Sequence, residues 1–241
     1  MTSGLCQILG TFDAALSLLW PRMTQNGPRL VLTLEEKTKA GSPKSKMKTK
    51  SGVIEPEWSK LRLKDRIGSG LRVLFVGINP GVRSAITGHH FAGYSNRFWK
   101  LLMDSRLVPE PVTYEDDVRL TTWNLGITNL IARPSPGIND LRPAEYIEGW
   151  KVLDSKIRRY RPEVVALVGV TLYRAILPLL HDFASARARP TAVGLHPIRI
   201  HGSRLFVLPN PSGRNANYTY AEMLKAFVQL RRWAERLRVR S

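Results

Sequence analysis

Apolar residues in this chain fall into short unbroken runs that alternate with stretches of helical spacing. Leu71 to Ile78, LRVLFVGI, is almost wholly apolar and β-branched, the pattern of a strand covered on both faces. TTWNLGITNLI (121–131) and PEVVALVGV (162–170) have the same character, and HPIRIHGSRLFVLPN (196–210) reads as a hairpin turning at Gly202-Ser203. Helical patterns lie between them. NRFWKLLMDSRL spaces Phe98, Leu101, Leu102 and Leu107 on one face, and AEYIEGWKVLDSKIRRY does the same with Ile147, Trp150, Leu153 and Ile157. TLYRAILPLL reads as a helix interrupted by Pro178, and YAEMLKAFVQLRRWAERLRVR as a closing helix with a basic end. Strands alternating with helices predict an α/β fold, a three-layer α/β/α domain over residues 56–241 around a short central parallel sheet.

Residues 1–55 do not follow this pattern. EEKTKAGSPKSKMKTKSG carries six lysines among Ser, Thr, Gly and Pro, with no apolar period. Such a composition buries too little surface to offset ordering entropy, so the segment reads as a disordered basic arm. Three readings of it stand: a non-specific tether to DNA, a localisation signal if the organism has a nucleus, or an over-extended gene start ahead of Met23 or Met47. LCQILGTFDAALSLLW lacks a basic leader and contains Asp13, which makes it a poor signal peptide.

Charge changes the picture more than composition does. The chain is 43% hydrophobic and 23% charged, as globular chains are, but 37 Lys and Arg face 19 acidic residues for a formal +18. That excess points to an anionic partner such as nucleic acid. No apolar run approaches the ~20 residues of a membrane-spanning helix. The single cysteine, Cys6, cannot form an internal disulfide, an Fe–S cluster or a cysteine-rich zinc site. The expectation is a chain without cofactor or metal, placed in the cytoplasm with the nucleoid in a bacterium or in the nucleus of a eukaryote.

Two strand ends are built alike, FVGINPG (75–81) and FVLPNPSG (206–213). Each runs from an apolar strand into Asn-Pro and then Gly, where proline fixes φ and glycine permits close approach. Parallel sheets place their sites just past the carboxyl ends of the strands. Were the two strands parallel neighbours, both loops would face one crevice. Singly each is an ordinary turn; matched, in a chain of this charge, they point to a site.

The pair GINPG (77–81) and NPSG (210–213), joined by TGHHFAGYSNRFWKLL (87–102), resembles the uracil-DNA glycosylase superfamily in its mismatch-specific uracil/thymine branch. The resemblance runs from about Leu71 to the C-terminal helix. It implies a monomeric, monofunctional enzyme that flips uracil out of duplex DNA opposite guanine and hydrolyses its N-glycosidic bond. Thymine or etheno-cytosine are further substrates of that kind. It implies that Asn79 holds the attacking water, that Phe91 stacks on the extruded base, and that Ile78 offers it a backbone amide. Ser84 and His90 fall where thymine-acting relatives carry a small residue and a histidine, and Asn210, which opens the second motif, joins them in the base pocket. Ser212 would bond a phosphate, Gly213 and Asn215 would meet the widowed guanine, and Arg214 takes the wedge position, where several relatives have Leu. Asn210 stands where the single-strand-selective branch has His, and branches with an Fe–S cluster need four cysteines.

The residues themselves agree. Asn79 is uncharged and cannot be a strong base, so it can only orient water. No lysine lies in either motif, which leaves no Schiff-base amine for strand cleavage. Two rivals remain: a non-catalytic basic α/β protein that binds nucleic acid, and a nucleotide-binding enzyme using GINPG as a phosphate loop. The second lacks both Gly-x-Gly-x-x-Gly and a Walker lysine.

Overall fold

The computed structural model describes residues 55–180 and 193–238, with side chains to residue 236. The chain divides into two units, Met1–Glu55 and Pro56–Ser241; the basic arm expected over 1–55 lies outside the described residues, Glu55 apart. In the second unit, the apolar runs become strands β1 (Val73–Gly77), β2 (Leu125–Asn129), β3 (Val164–Val168) and β5 (Ser203–Leu208), with β4 (Gly194–Ile200) completing the hairpin. The sheet has five strands in the order β2-β1-β3-β5-β4. All pairs are parallel except β4 against β5. The strands that feed the two motif loops are therefore parallel but not neighbours, because β3 lies between them.

Helices α1 (Val82–Thr87), α2 (Phe98–Asp104), α3 (Pro143–Tyr160), α4 (Val170–Ile176) and α5 (Tyr220–Arg238) complete the domain. Alternation along each strand divides the core into two slabs. Leu74, Val76, Val165, Leu167, Leu205 and Val207 face α3 and α4, while Val73, Phe75, Ile127, Ala166, Phe206 and Leu208 face α2 and α5. This is the expected three-layer α/β/α architecture. Each fully buried aliphatic or aromatic side chain contributes roughly 1.5–3 kcal/mol.

Several boundaries differ from the sequence pattern. Thr121–Trp123 close a 3-10 helix, Tyr114–Trp123, so β2 starts only at Leu125. α2 stops at Asp104, leaving Leu107 buried beyond the helix. On α3 the buried stripe begins at Tyr146, with Ile147 only half-buried. Pro178 converts the end of the fourth helix to a 3-10 turn, Leu177–Leu179, because it cannot donate to the i−4 carbonyl. The hairpin turns at His201-Gly202, one residue earlier than expected. No described helix is long and apolar enough to cross a membrane.

Candidate active site

A cleft of about 540 Å³ opens at the carboxyl ends of the parallel strands. Its walls come from the loop after β1, the end of β2, the loop after it and the loop after β5. Asn79, Ile78, Ser84, His90, Phe91, Asn210, Ser212 and Arg214 all line it. Gly213 and Asn215 belong to the same loop as Arg214 but do not line the cleft. No carboxylate and no lysine is among the lining residues. No group of three or more His, Cys, Asp or Glu among the described residues is arranged to hold a metal ion.

Asn79 is fixed by its amide nitrogen. Nδ2 lies 2.8 Å from Ser135 Oγ, 3.2 Å from the Arg133 carbonyl and 3.1 Å from the Pro80 carbonyl. The Ser135 hydroxyl donates its hydrogen bond to the Gly137 carbonyl, 2.6 Å away, so its oxygen is left to accept from Asn79. Arg133 is anchored in turn by a two-pronged ion pair with Glu145 in the first turn of α3, at 2.8 Å on each arm. That guanidinium holds the Glu145 carboxyl well below its ordinary range, at about 2. With Nδ2 committed, Oδ1 has no protein donor among the described residues and remains an acceptor on the cleft side. A neutral acceptor of fixed direction can align a water without deprotonating it.

The floor is aromatic. Phe91 stacks on Phe98 at 4.2 Å and 20°, and Phe98 is wedged edge-on between Phe75, Trp99 and Phe227. Phe91 sits at φ 53, a conformation that costs a residue with a side chain roughly 1 kcal/mol or more. Its neighbours hold it there. The His90 amide donates to Asp117 Oδ2 and the Ala92 amide to Ser84 Oγ, both at 3.0 Å, while Trp99 Nε1 donates to the His90 carbonyl, also at 3.0 Å. Ser84 is buried and its hydroxyl oxygen serves this loop.

His90 is also buried, and desolvation lowers its pKa to about 4 against the pull of the Lys64 carbonyl. Nε2 lies 3.0 Å from that carbonyl, which only accepts, so the neutral ring carries its proton on Nε2. Nδ1 is then an acceptor, 3.4 Å from Asn129 Nδ2. Asn129 pairs across the sheet with Gly77. A Cβ on Gly77 would come within 2.5 Å of Asn129 Oδ1 and 3.4 Å of Phe91, so glycine is what lets both side chains reach the cleft.

The second loop folds onto itself and onto the first. Asn210 is exposed at the rim, its Oδ1 accepting from Ser212 N at 3.0 Å and its carbonyl accepting from Asn215 Nδ2 at 2.7 Å. Its side chain shapes this loop while the residue lines the cleft mouth. Ser212 Oγ accepts from Arg214 N at 3.3 Å, and Asn215 Oδ1 accepts from Asn217 N at 3.0 Å. Arg97 N donates to the Pro211 carbonyl at 2.9 Å. Any Cβ on Gly213 would collide with Ser95. The two loops are therefore one joined rim, with exposed Arg214 reaching the Pro136 carbonyl at 3.4 Å.

Sequence reasoning missed Asn129, Ser135, Arg83 and Tyr94. Asn129 ends an apolar strand just as Asn79 follows one, and the strand-end rule applied to β2 finds it. Ser135 lies in a Pro/Gly break with no local signal, because its role depends on a contact 56 residues away.

The fold and site together define a doubly wound α/β domain with a neutral, cation-rimmed cleft at its strand ends. The chain belongs to the uracil DNA glycosylase superfamily, whose family model matches residues 65–233. It is similar to a G/U mismatch-specific uracil DNA glycosylase of Schizosaccharomyces pombe, at 35% identity over 195 residues. That match takes in 79% of this chain and 58% of the yeast protein, so the chain spans little more than half the length of that relative. The solution NMR structure of a candidate uracil DNA glycosylase from Methanosarcina acetivorans matches 73% of this chain and 98% of its own, at TM-score 0.47 and 16% identity.

Proposed function

We propose that this chain is a monofunctional, mismatch-specific DNA glycosylase acting as a monomer on duplex DNA. It extrudes uracil opposite guanine and hydrolyses the N-glycosidic bond, leaving an abasic site; thymine and etheno-cytosine are weaker substrates of the same kind. The observation that carries this reading is the Asn79 amide, pinned through Nδ2 with Oδ1 facing a cleft without carboxylates. The glycosidic C–N bond breaks with its electron pair leaving on the base. The sugar becomes oxocarbenium-like, and the water aligned by Asn79 Oδ1 adds to the anomeric carbon and loses its proton to solvent. No group here is a strong base, so rate must come from alignment and from dipoles aimed at the departing base. Such an enzyme is slow and suits bases that already leave well.

Phe91 supplies the stacking face for the extruded base, and the Asn129 amide, oriented by neutral His90, meets its polar edge. With Nδ2 turned to His90, Asn129 offers Oδ1 as an acceptor, which fits the ring N–H of uracil and thymine. Arg214 fills the gap left in the duplex, its stem packing and its guanidinium meeting phosphate or base. Without a lysine on the cleft wall, strand scission does not follow base loss. The yeast relative's G/U specificity supports the choice of lesion.

The test is a panel of labelled duplexes with one altered base each, treated with alkali after single-turnover incubation. Uracil opposite guanine is excised at least ~10-fold faster than uracil opposite adenine, because the wobble pair opens more easily. Thymine opposite guanine follows more slowly, since its methyl group crowds the wall near Ser84. Absence of alkali-labile sites on every duplex contradicts the enzyme. Equal rates on both uracil pairs, or faster cutting of single strands, would instead favour the single-strand-selective branch.

A further inference from the structure

Tyr94 is 90% exposed, more than any other large hydrophobic side chain among the described residues, and it stands on the rim of the cleft. Its ring is not loose. The Arg83 guanidinium lies 3.7 Å from the ring centroid. Arg83 is itself tied down, with Nε donating to the Ala92 carbonyl at 2.7 Å and Nη2 to Tyr114 Oη at 3.4 Å. It meets no carboxylate among the described residues. One face of the tyrosine is thus backed by a fixed, unneutralised cation, and the other is open to water.

The position matters as much as the exposure. Tyr94 lies in the Gly93–Asn96 turn, closed by Asn96 N to the Gly93 carbonyl at 2.9 Å. The next residue, Ser95, is the one against which Gly213 packs, and Arg214 follows Gly213. A flat aromatic face therefore stands beside the residue expected to enter the duplex. When a nucleotide is extruded, its neighbour on the same strand loses a stacking partner. Aromatic rings replace such partners without regard to sequence, and a cation beside them suits the adjoining phosphate.

We propose that Tyr94, backed by Arg83, is the stacking surface for the nucleotide flanking the extruded one on the damaged strand. This rests on the glycosylase reading and extends its footprint by one nucleotide. It also gives Arg83 a task its lack of an acidic partner leaves open: a contact to the phosphate of that nucleotide.

The experiment uses the full chain and a G·U duplex in which a fluorine on the uridine sugar blocks cleavage by opposing positive charge at the anomeric carbon. The fluorescent base aminopurine occupies one flank or the other, since it brightens when unstacked. In the wild-type complex it stays quenched at one flank. With Tyr94→Ala it brightens there by at least ~2-fold and affinity falls about 10-fold, whereas Tyr94→Phe behaves as wild type. Replacing that flanking base by an abasic spacer abolishes the difference between wild type and Tyr94→Ala. Equal brightness of wild type and Tyr94→Ala at both flanks overturns the proposal, as does an affinity loss that persists with the spacer. Wild-type excision from the unfluorinated duplex is measured in parallel. Its absence defeats the glycosylase reading itself, while its presence without flank coupling defeats only the Tyr94 platform.

Discussion

At the scale of single residues, the site works by fixing the direction of neutral groups. Asn79 is held by three acceptors, Asn129 by His90, and His90 by a backbone carbonyl. The buried imidazole carries a consequence for stability. Its folded pKa is about 4 against 6.5 for the free group, so between these values the unfolded chain binds a proton that the folded chain refuses. The stabilisation is complete above about pH 6.5 and is lost as pH falls toward 4, by up to about 3 kcal/mol. Urea unfolding of wild type and His90→Gln should therefore converge by about 2–3 kcal/mol between pH 7.5 and 4.5. A constant gap across that range would mean that the imidazole is already solvated or charged. Asn79, Phe91 and His90 were legible from their motif. Ser135 and Asn129 were not, because the former is defined by a long-range hydrogen bond and the latter by its partner across the sheet.

At the scale of elements, the sequence pattern located the strands by their unbroken apolar runs and the helices by their spacing. It could not give strand order, which depends on pairings between distant segments. The two Asn-Pro loops were legible as a pair. Their joining is not carried by either loop's sequence, since β3 separates their strands and the contact is Ser95 against Gly213. That contact leads to a test. Gly213→Ala places a methyl group on the Ser95 side chain and backbone, so the second loop must lift and take Arg214 with it. Excision of uracil opposite guanine should fall about 10-fold, and the preference over uracil opposite adenine should shrink by a similar factor, as expected for losing one well-placed contact. The melting temperature should hardly change, because the loop lies outside both core slabs. Unaltered rates and preference would show that the joined rim does not position Arg214 for the reaction.

At the scale of the whole molecule, the strands and the loops that follow them bring four asparagines, one phenylalanine and two unneutralised arginines to the carboxyl end of the sheet. A formal +18 suits such an edge to a polyanion and makes its affinity salt-dependent. Charge alone, however, describes a binder as well as an enzyme, and what separates the two is the aligned acceptor of Asn79. The most direct measurement compares wild type and Asn79→Ala on one G·U duplex, reading affinity and single-turnover uracil release side by side. Affinity should stay within a few-fold while release falls by at least ~100-fold, the scale expected for losing a positioned water. Equal loss of both, or release unchanged by the substitution, would contradict a catalytic Asn79 and leave it a turn residue.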